Sequence, residues 1–293
     1  MIDSIKKNSL EFFNANGLPS KKLENWKFTS SKNFKNFNKS SSKAEKHKIE
    51  SDELSIVFIN GVLDIDSLEN FKFSDLLEVK NLNEIDNEEL LHCSANFLNE
   101  SMFNLGVSEF ENGNYLSFKK NSVVDEVINI KNYFFENGEN ERVSSFNIFH
   151  INEGSEISII EEDIKENYSI FNLKLNKFIC ENSSILKYGK SFNDDSQTHS
   201  LSYNYYQIEK DVALSVDSMV KSSFFNKEFI EVDLNNVGSD AKINILNLGK
   251  QEQHVDNNIL INHNAEHCTS FQHVRNILDN KSTAVFNGKV IVS

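Results

Sequence analysis

The chain has 293 residues, 39% of them hydrophobic and 25% charged, with a formal net charge of −14. That length supports one large domain or two ordinary ones with a real core. One proline and ten glycines exclude a Pro/Gly-rich disordered chain. The charge is uneven: residues 1–50 hold eleven lysines against five acids, so the rest of the chain is strongly acidic. An acidic body lacks the basic footprint that a nucleic-acid binder needs, and the basic start reads as a docking arm or a solvated helix surface. Cys93, Cys180 and Cys268 are far apart and form no C-x-x-C pair, which reads as reduced thiols and not as a disulfide framework. The start, MIDSIKKNSLEFFNANG, has no apolar run of signal-peptide length, and no segment approaches the roughly 20 apolar residues of a membrane span. A soluble cytoplasmic protein is expected, with no nucleic-acid or membrane partner.

Residues 2–15 place Ile2, Ile5, Leu10, Phe12 and Phe13 at helical spacing, and Gly17 and Pro19 end that helix. Trp26, the only tryptophan, lies in LPSKKLENWKFTS and is expected to anchor this arm on the body. The polar run KNFKNFNKSSSKAEKHKIE reads as linker. Residues 55–65, SIVFINGVLDI, read as a strand pair around the Asn60-Gly61 turn. Between 66 and 106, positions such as Leu90, Leu91, Ala95, Phe97, Leu98 and Met102 read as one or two helices. The expected organisation is an arm and linker over 1–50, a mixed α/β region over 51–125, and a β domain over 126–293.

From about residue 126 short β-rich runs alternate with Asn/Gly/Ser/Asp turns. Five turn-plus-strand segments recur at a spacing of 28: NEGSEISII from Asn152, CENSSILKY from Cys180, IEKDVALSV from Ile208, NVGSDAKIN from Asn236 and NAEHCTSFQ from Asn264. A fixed period in β-rich sequence signals a solenoid, in which each unit buries its apolar face only by stacking on neighbours. The fold class is therefore mainly β: a right-handed parallel β-helix with an N-terminal helical region.

No Walker A, GxGxxG, HExxH or GxSxG motif is present, so nucleotide-using and hydrolytic enzymes receive no local support. The densest set of metal-type side chains is His254, His263, His267, Cys268 and His273. Imidazole and thiolate bind zinc or iron, so His263, His267, Cys268 and His273 are the candidate metal ligands. His150 and His199 stand alone and read as structural. The acidic groups Glu161-Glu162-Asp163 and Asp194-Asp195 could serve acid–base chemistry or bind Ca²⁺, but on a chain this acidic they read as solvated edges. A carbohydrate-active β-helix enzyme or binding protein is the alternative class; only two arginines, Arg142 and Arg275, are available to partner clustered acids.

Four segments resemble the SufB/SufD family, in order along the chain. GLPSKKLENWKFTS (17–30) resembles its N-terminal signature, Gly-Leu-Pro, basic residues, then Glu-x-Trp-Lys-Tyr/Phe-Thr. FINGVL (58–63) resembles an early strand, FLNESMFNLG (97–106) a small helix before the core, and HVDNNILINHNAEHCTSFQHVRNILDNKSTAVFNGKV (254–290) a late β-helix segment. The short N-terminal region looks closer to SufD than to SufB. The resemblance implies a non-catalytic scaffold subunit of SUF iron–sulfur cluster assembly. It also implies a SufB-like paralogue, or a second copy, as β-helix partner, and a SufC-like ATPase docked on C-terminal helices. It gives this chain no cofactor of its own; an Fe–S cluster would be held transiently in complex with the SufB-like partner. The family continues beyond the Phe-Asn-Gly strand with an Asp-Asp-x-x-Cys-x-His segment and the docking helices, and neither has a counterpart here. A C-terminally truncated member is therefore expected, aggregation-prone at its open end, with a non-functional fragment as a further alternative.

Overall fold

The computed structural model describes residues 1–40, 49, 52–85, 92–111, 113–135, 140–165, 169–193, 198–221 and 224–293. From residue 114 onward the chain winds between two parallel sheets. One sheet, A, carries β5 (Asn114–Phe118), β7 (Glu141–Ile151), β9 (Ile170–Cys180), β11 (His199–Ile208), β13 (Phe225–Leu234), β15 (His254–His263) and β17 (Thr283–Val292). The other, B, carries β6 (Val123–Phe134), β8 (Glu156–Lys165), β10 (Ile185–Asn193), β12 (Ala213–Lys221), β14 (Asp240–Gly249) and β16 (Thr269–Leu278). Each strand pairs with the strand two positions on, so one A strand and one B strand make a coil of about six stacked coils. This is the β-helix expected from the repeat.

The coils are held in register by ladders of like residues. Phe149, Phe178, Tyr206, Val232 and Ile261 occupy one interior row. Adjacent strands lie about 4.8 Å apart, which is also a good stacking distance for rings: Phe149–Phe178 centroids are 4.9 Å apart and Phe178–Tyr206 centroids 4.5 Å. A parallel ladder of this kind favours rings on successive turns at one register position, which the spacings of 29 from Phe149 to Phe178 and 28 from Phe178 to Tyr206 supply.

The A-to-B turns repeat a backbone device. Asn121, Gly154, Ser183, Asp211, Gly238 and His267 sit at equivalent places, and all have positive φ, between 56° and 81°. The residue after each, Ser122, Ser155, Ser184, Val212, Ser239 and Cys268, leads into the next strand. At Gly154 a side chain would run into Asn121 of the coil below, so glycine answers both the left-handed backbone and the close approach there.

The start of the solenoid is closed by reversed strands. β4 (Leu77–Asn81) pairs antiparallel with β5. β2 (Ser55–Ile59) pairs with β6 and turns back through Asn60 and Gly61, both with positive φ, into β3 (Val62–Leu63). This is the expected hairpin, and it blunts an edge that would otherwise template pairing. The helix Ile2–Asn16 and the helix Ser101–Glu109 pack together beside the outer face of sheet A. Among the described residues no helix is long and apolar enough to cross a membrane.

Two sequence readings need correction. The run read as linker is structured over its first part: Phe34 and Phe37 are buried, and β1 (Asn38–Lys39) pairs with Glu141 and Arg142 of β7. The ring of Phe34 stacks on Phe171 at 4.6 Å, which is why so polar a segment docks. Glu161 and Asp163 are not solvated edges. They face the interior, where Lys174 pairs with both and Tyr188 donates to Glu161. Asp194-Asp195, Leu90 and Leu91 lie outside the described residues.

Candidate functional site

The N-terminal signature segment folds onto the outer face of β13 and β15. Glu24–Trp26 form a single 3₁₀ turn that drives the Trp26 indole into full burial between Phe34, at 6.1 Å, and Phe229, at 6.2 Å. Trp26 Nε1 donates to Glu100 Oε2 at 3.1 Å, tying the arm to the segment before the helix Ser101–Glu109.

Beneath the indole lies a buried ion pair. Lys227 and Asp256 are register partners on neighbouring strands, with Nζ to Oδ2 at 2.5 Å. Lys227 Nζ also donates to the carbonyl of Asn25 at 2.7 Å and sits 4.9 Å and 4.7 Å from the ring centroids of Trp26 and Phe229. Thr29 Oγ1 donates to Asp256 and lies 2.9 Å from His254 Nε2. Burial pulls the Lys227 ammonium below its ordinary value, with Asp256 opposing that pull. Burial likewise lowers His254, with Asp256 opposing, and the ring stacks on Phe225.

A cleft of about 470 Å³ opens beside this cluster, walled by Glu24, Glu100, Glu231, Phe97, Phe229 and Lys289. Desolvation raises Glu100, with the Trp26 hydrogen bond opposing. Desolvation also raises Glu231, which accepts from Ser94 at 2.6 Å and Asn96 at 2.8 Å. Glu100 and Glu231 are thus engaged by the arm and by the segment before the helix Ser101–Glu109. The arrangement clamps the arm to the coils.

The four candidate metal ligands are spread along the last coil. His263 continues the interior row Ile151, Cys180, Ile208, Leu234, and its Nε2 lies 2.8 Å from Ser270 Oγ. His267 holds the left-handed turn position and points into solvent. Cys268 Sγ donates to the Asn236 carbonyl at 3.1 Å, as Ser239 Oγ donates to Glu209 one coil earlier. His273 faces outward on β16, where it accepts from Arg275 Nε at 3.0 Å and borders a groove of about 520 Å³ floored by Gly189. Among the described residues no group of three or more His, Cys, Asp or Glu is placed to hold a metal ion. Of the other thiols, burial pushes Cys93 up to about 12 and Cys180 higher still, which disfavours their thiolate forms. His150 bridges Tyr115 OH at 2.7 Å and Glu181 at 3.1 Å, and His199 packs against Phe37 at 5.0 Å and Phe224 at 5.2 Å, so both serve packing.

Sequence reasoning found Trp26 but missed Lys227, Asp256, Glu100 and Glu231. A signal existed for the first two: opposite charges one coil apart become neighbours in a parallel ladder. No curated protein matches the chain. Residues 134–293, which run from the end of β6 to the end of the chain, match the family model described as SUF system FeS cluster assembly, SufBD core domain. With the coils and the docked signature in view, that match places the chain in the SufBD core-domain family of iron–sulfur cluster assembly proteins.

Proposed function

We propose that this chain is a SufD-like, non-catalytic scaffold subunit of the SUF machinery, working in the cytoplasm with a SufB-like paralogue and a SufC-like ATPase. The observation that carries the reading is the core-domain match, which spans most of the coils. Membership of the wider SufB/SufD group is supported by the N-terminal signature and its docking through Trp26 and Thr29. The scaffold role is supported by how the reactive groups are spent: Lys227, Asp256 and His254 bind one another or the arm, and Cys180 is a buried thiol. The Fe–S cluster is the cargo of this assembly and not a resident cofactor.

The test is co-expression with the SufB and SufC homologues of the same organism, followed by affinity pull-down and intact mass. The reading expects a stoichiometric complex with the SufB homologue, formed with or without the ATPase. A chain that stays folded, captures neither protein and shows turnover or glycan binding by itself would overturn it.

A further inference from the structure

The interior of the solenoid is divided lengthwise. One half is the apolar row already described. The other half is polar, and it begins as an asparagine ladder in which Asn114, Asn147, Asn176 and Asn204 share one register position. Asn114 donates to Asn147 at 3.0 Å and Asn176 to Asn204 at 3.2 Å. Glu228, the register partner of Ser202 on the next coil, accepts at Oε1 from Lys190 at 2.8 Å and Asn204 at 2.9 Å.

Around Glu228 the pairing becomes incomplete. Among the described residues, Glu228 Oε2 and both amide atoms of Asn226 find no hydrogen-bond partner. The same holds for Asn257 Nδ2, Asn247 Oδ1, Ser200 Oγ and Ser218 Oγ. All six residues are more than nine-tenths buried. The register groups them: Ser200 lies beside Asn226, Asn257 lies beside Glu228, and Ser218 lies beside Lys190, which reaches Glu228. Asn247 crosses from sheet B to donate to Asn257 at 2.7 Å. Buried polar atoms without partners are rare in folded proteins, and several in one place require an explanation.

These atoms need both kinds of partner. The carboxylate and the carbonyl oxygens need donors, whereas the amide nitrogens of Asn226 and Asn257 need acceptors. A metal cation satisfies only the first group and an anion only the second. Water satisfies both, and buried water bridges otherwise unpaired polar groups in just such sites. We propose that the interior of the fourth to sixth coils is a water-binding chamber, in which ordered water molecules bridge Asn226, Glu228, Asn247 and Asn257. Water there would exchange slowly, because the coils enclose it.

The proposal is tested on the full chain by magnetic relaxation dispersion of solvent deuterons and ¹⁷O, which counts long-lived internal waters. The expected result is a long-lived population that falls in Asn226→Leu and in the milder Ser218→Ala. Thermal melts give a second readout, whose sign differs between a hydrated and a dry chamber. In a hydrated chamber Asn226→Leu lowers Tm, because it displaces bridging water; in a dry one it raises Tm, because it removes an unpaired amide. A signal without long-lived waters, a raised Tm, or a Tm that follows the exchange of sodium for choline in the buffer would each overturn water as the occupant.

Discussion

In the fourth coil, β11 is buried along almost all of its length, whereas its partner β12 alternates between buried and exposed positions. The same contrast separates β13 from β14. Both sheets share one interior, so the difference lies outside. The outer face of sheet A is covered by the N-terminal layer: Trp26, Phe34, Phe97 and Phe103 pack on Phe171, Tyr203 and Phe229. The outer face of sheet B stands open, with Met219, Ile160 and Phe271 exposed beside Asp217 and Arg275. A strand buried on both faces cannot keep a simple apolar/polar alternation, and its polar outer residues must find partners. Sheet A therefore carries Lys227 and Glu231 in bonded clusters, while the charged residues on the open face of sheet B rest mostly in solvent.

The largest test of that contrast removes the anchor. Trp26→Ala empties a fully buried site between Phe34 and Phe229, and truncation of a core Trp costs about 4 kcal/mol. Urea unfolding should show this loss, and limited proteolysis should cut the arm ahead of the coils. Unchanged stability together with an uncut arm would mean that sheet A does not depend on its cover.

The second test attacks the ion pair under the anchor. Lys227→Met leaves the Asp256 carboxylate buried with Thr29 and Asn258 as its remaining side-chain donors among the described residues, and removal of one partner of a buried pair costs about 3 kcal/mol or more. The double variant Lys227→Met with Asp256→Leu should recover most of that loss, because no uncompensated charge then stays behind. Thr29→Val is milder. It deletes one hydroxyl donor to a charged acceptor, worth about 2 kcal/mol, and should leave the double variant's stability almost unaltered. A full effect of Thr29→Val in that background would show that the hydroxyl acts through something besides Asp256.

The same contrast explains what was legible in the sequence. Local signals carried well: the first helix, the Asn60-Gly61 hairpin and the Trp26 anchor each follow from residues close in sequence. The coil period was legible because turn chemistry repeats, but it was read as a strict 28. Strand register gives 29 from Glu156 to Ile185, 28 from Ile185 to Ala213, 27 from Ala213 to Asp240 and 29 from Asp240 to Thr269. A strict 28 aligns His267 with Ser239, whereas the structure aligns Cys268 with Ser239 and His267 with Gly238. His267 and Cys268 were grouped as ligands on side-chain type and density alone, and the coils make one a turn residue and the other a strand-entry residue. Glu161 and Asp163 were misread for a different reason. Their partner Lys174 lies on the opposite sheet of the next coil, so nothing in their own strand distinguishes them from a solvated edge.

The smallest expected effect concerns Glu100, at the border between covered and open surface. Its carboxyl sits above the ordinary carboxylate value because burial outweighs the hydrogen bond from Trp26 Nε1. A carboxyl raised on folding binds its proton more tightly in the native state, so stability falls as pH rises from the unfolded value through the folded one. At neutral pH the ionised form therefore costs stability. Glu100→Gln keeps an oxygen for the indole to donate to and removes the charge, and so should raise the denaturation midpoint modestly at pH 7. The gain should shrink as pH is lowered, since the wild-type carboxyl then protonates and regains the same advantage. His254 works in the opposite sense: its lowered value makes stability fall as pH drops below about 6.5, where the unfolded imidazole takes up a proton. The His254 contribution is present in both proteins and cancels in the difference between them. A Glu100→Gln variant less stable than wild type at pH 7 would show that the carboxylate's attraction to Lys227 exceeds its desolvation, and that the cover is held by charge as well as by aromatic packing.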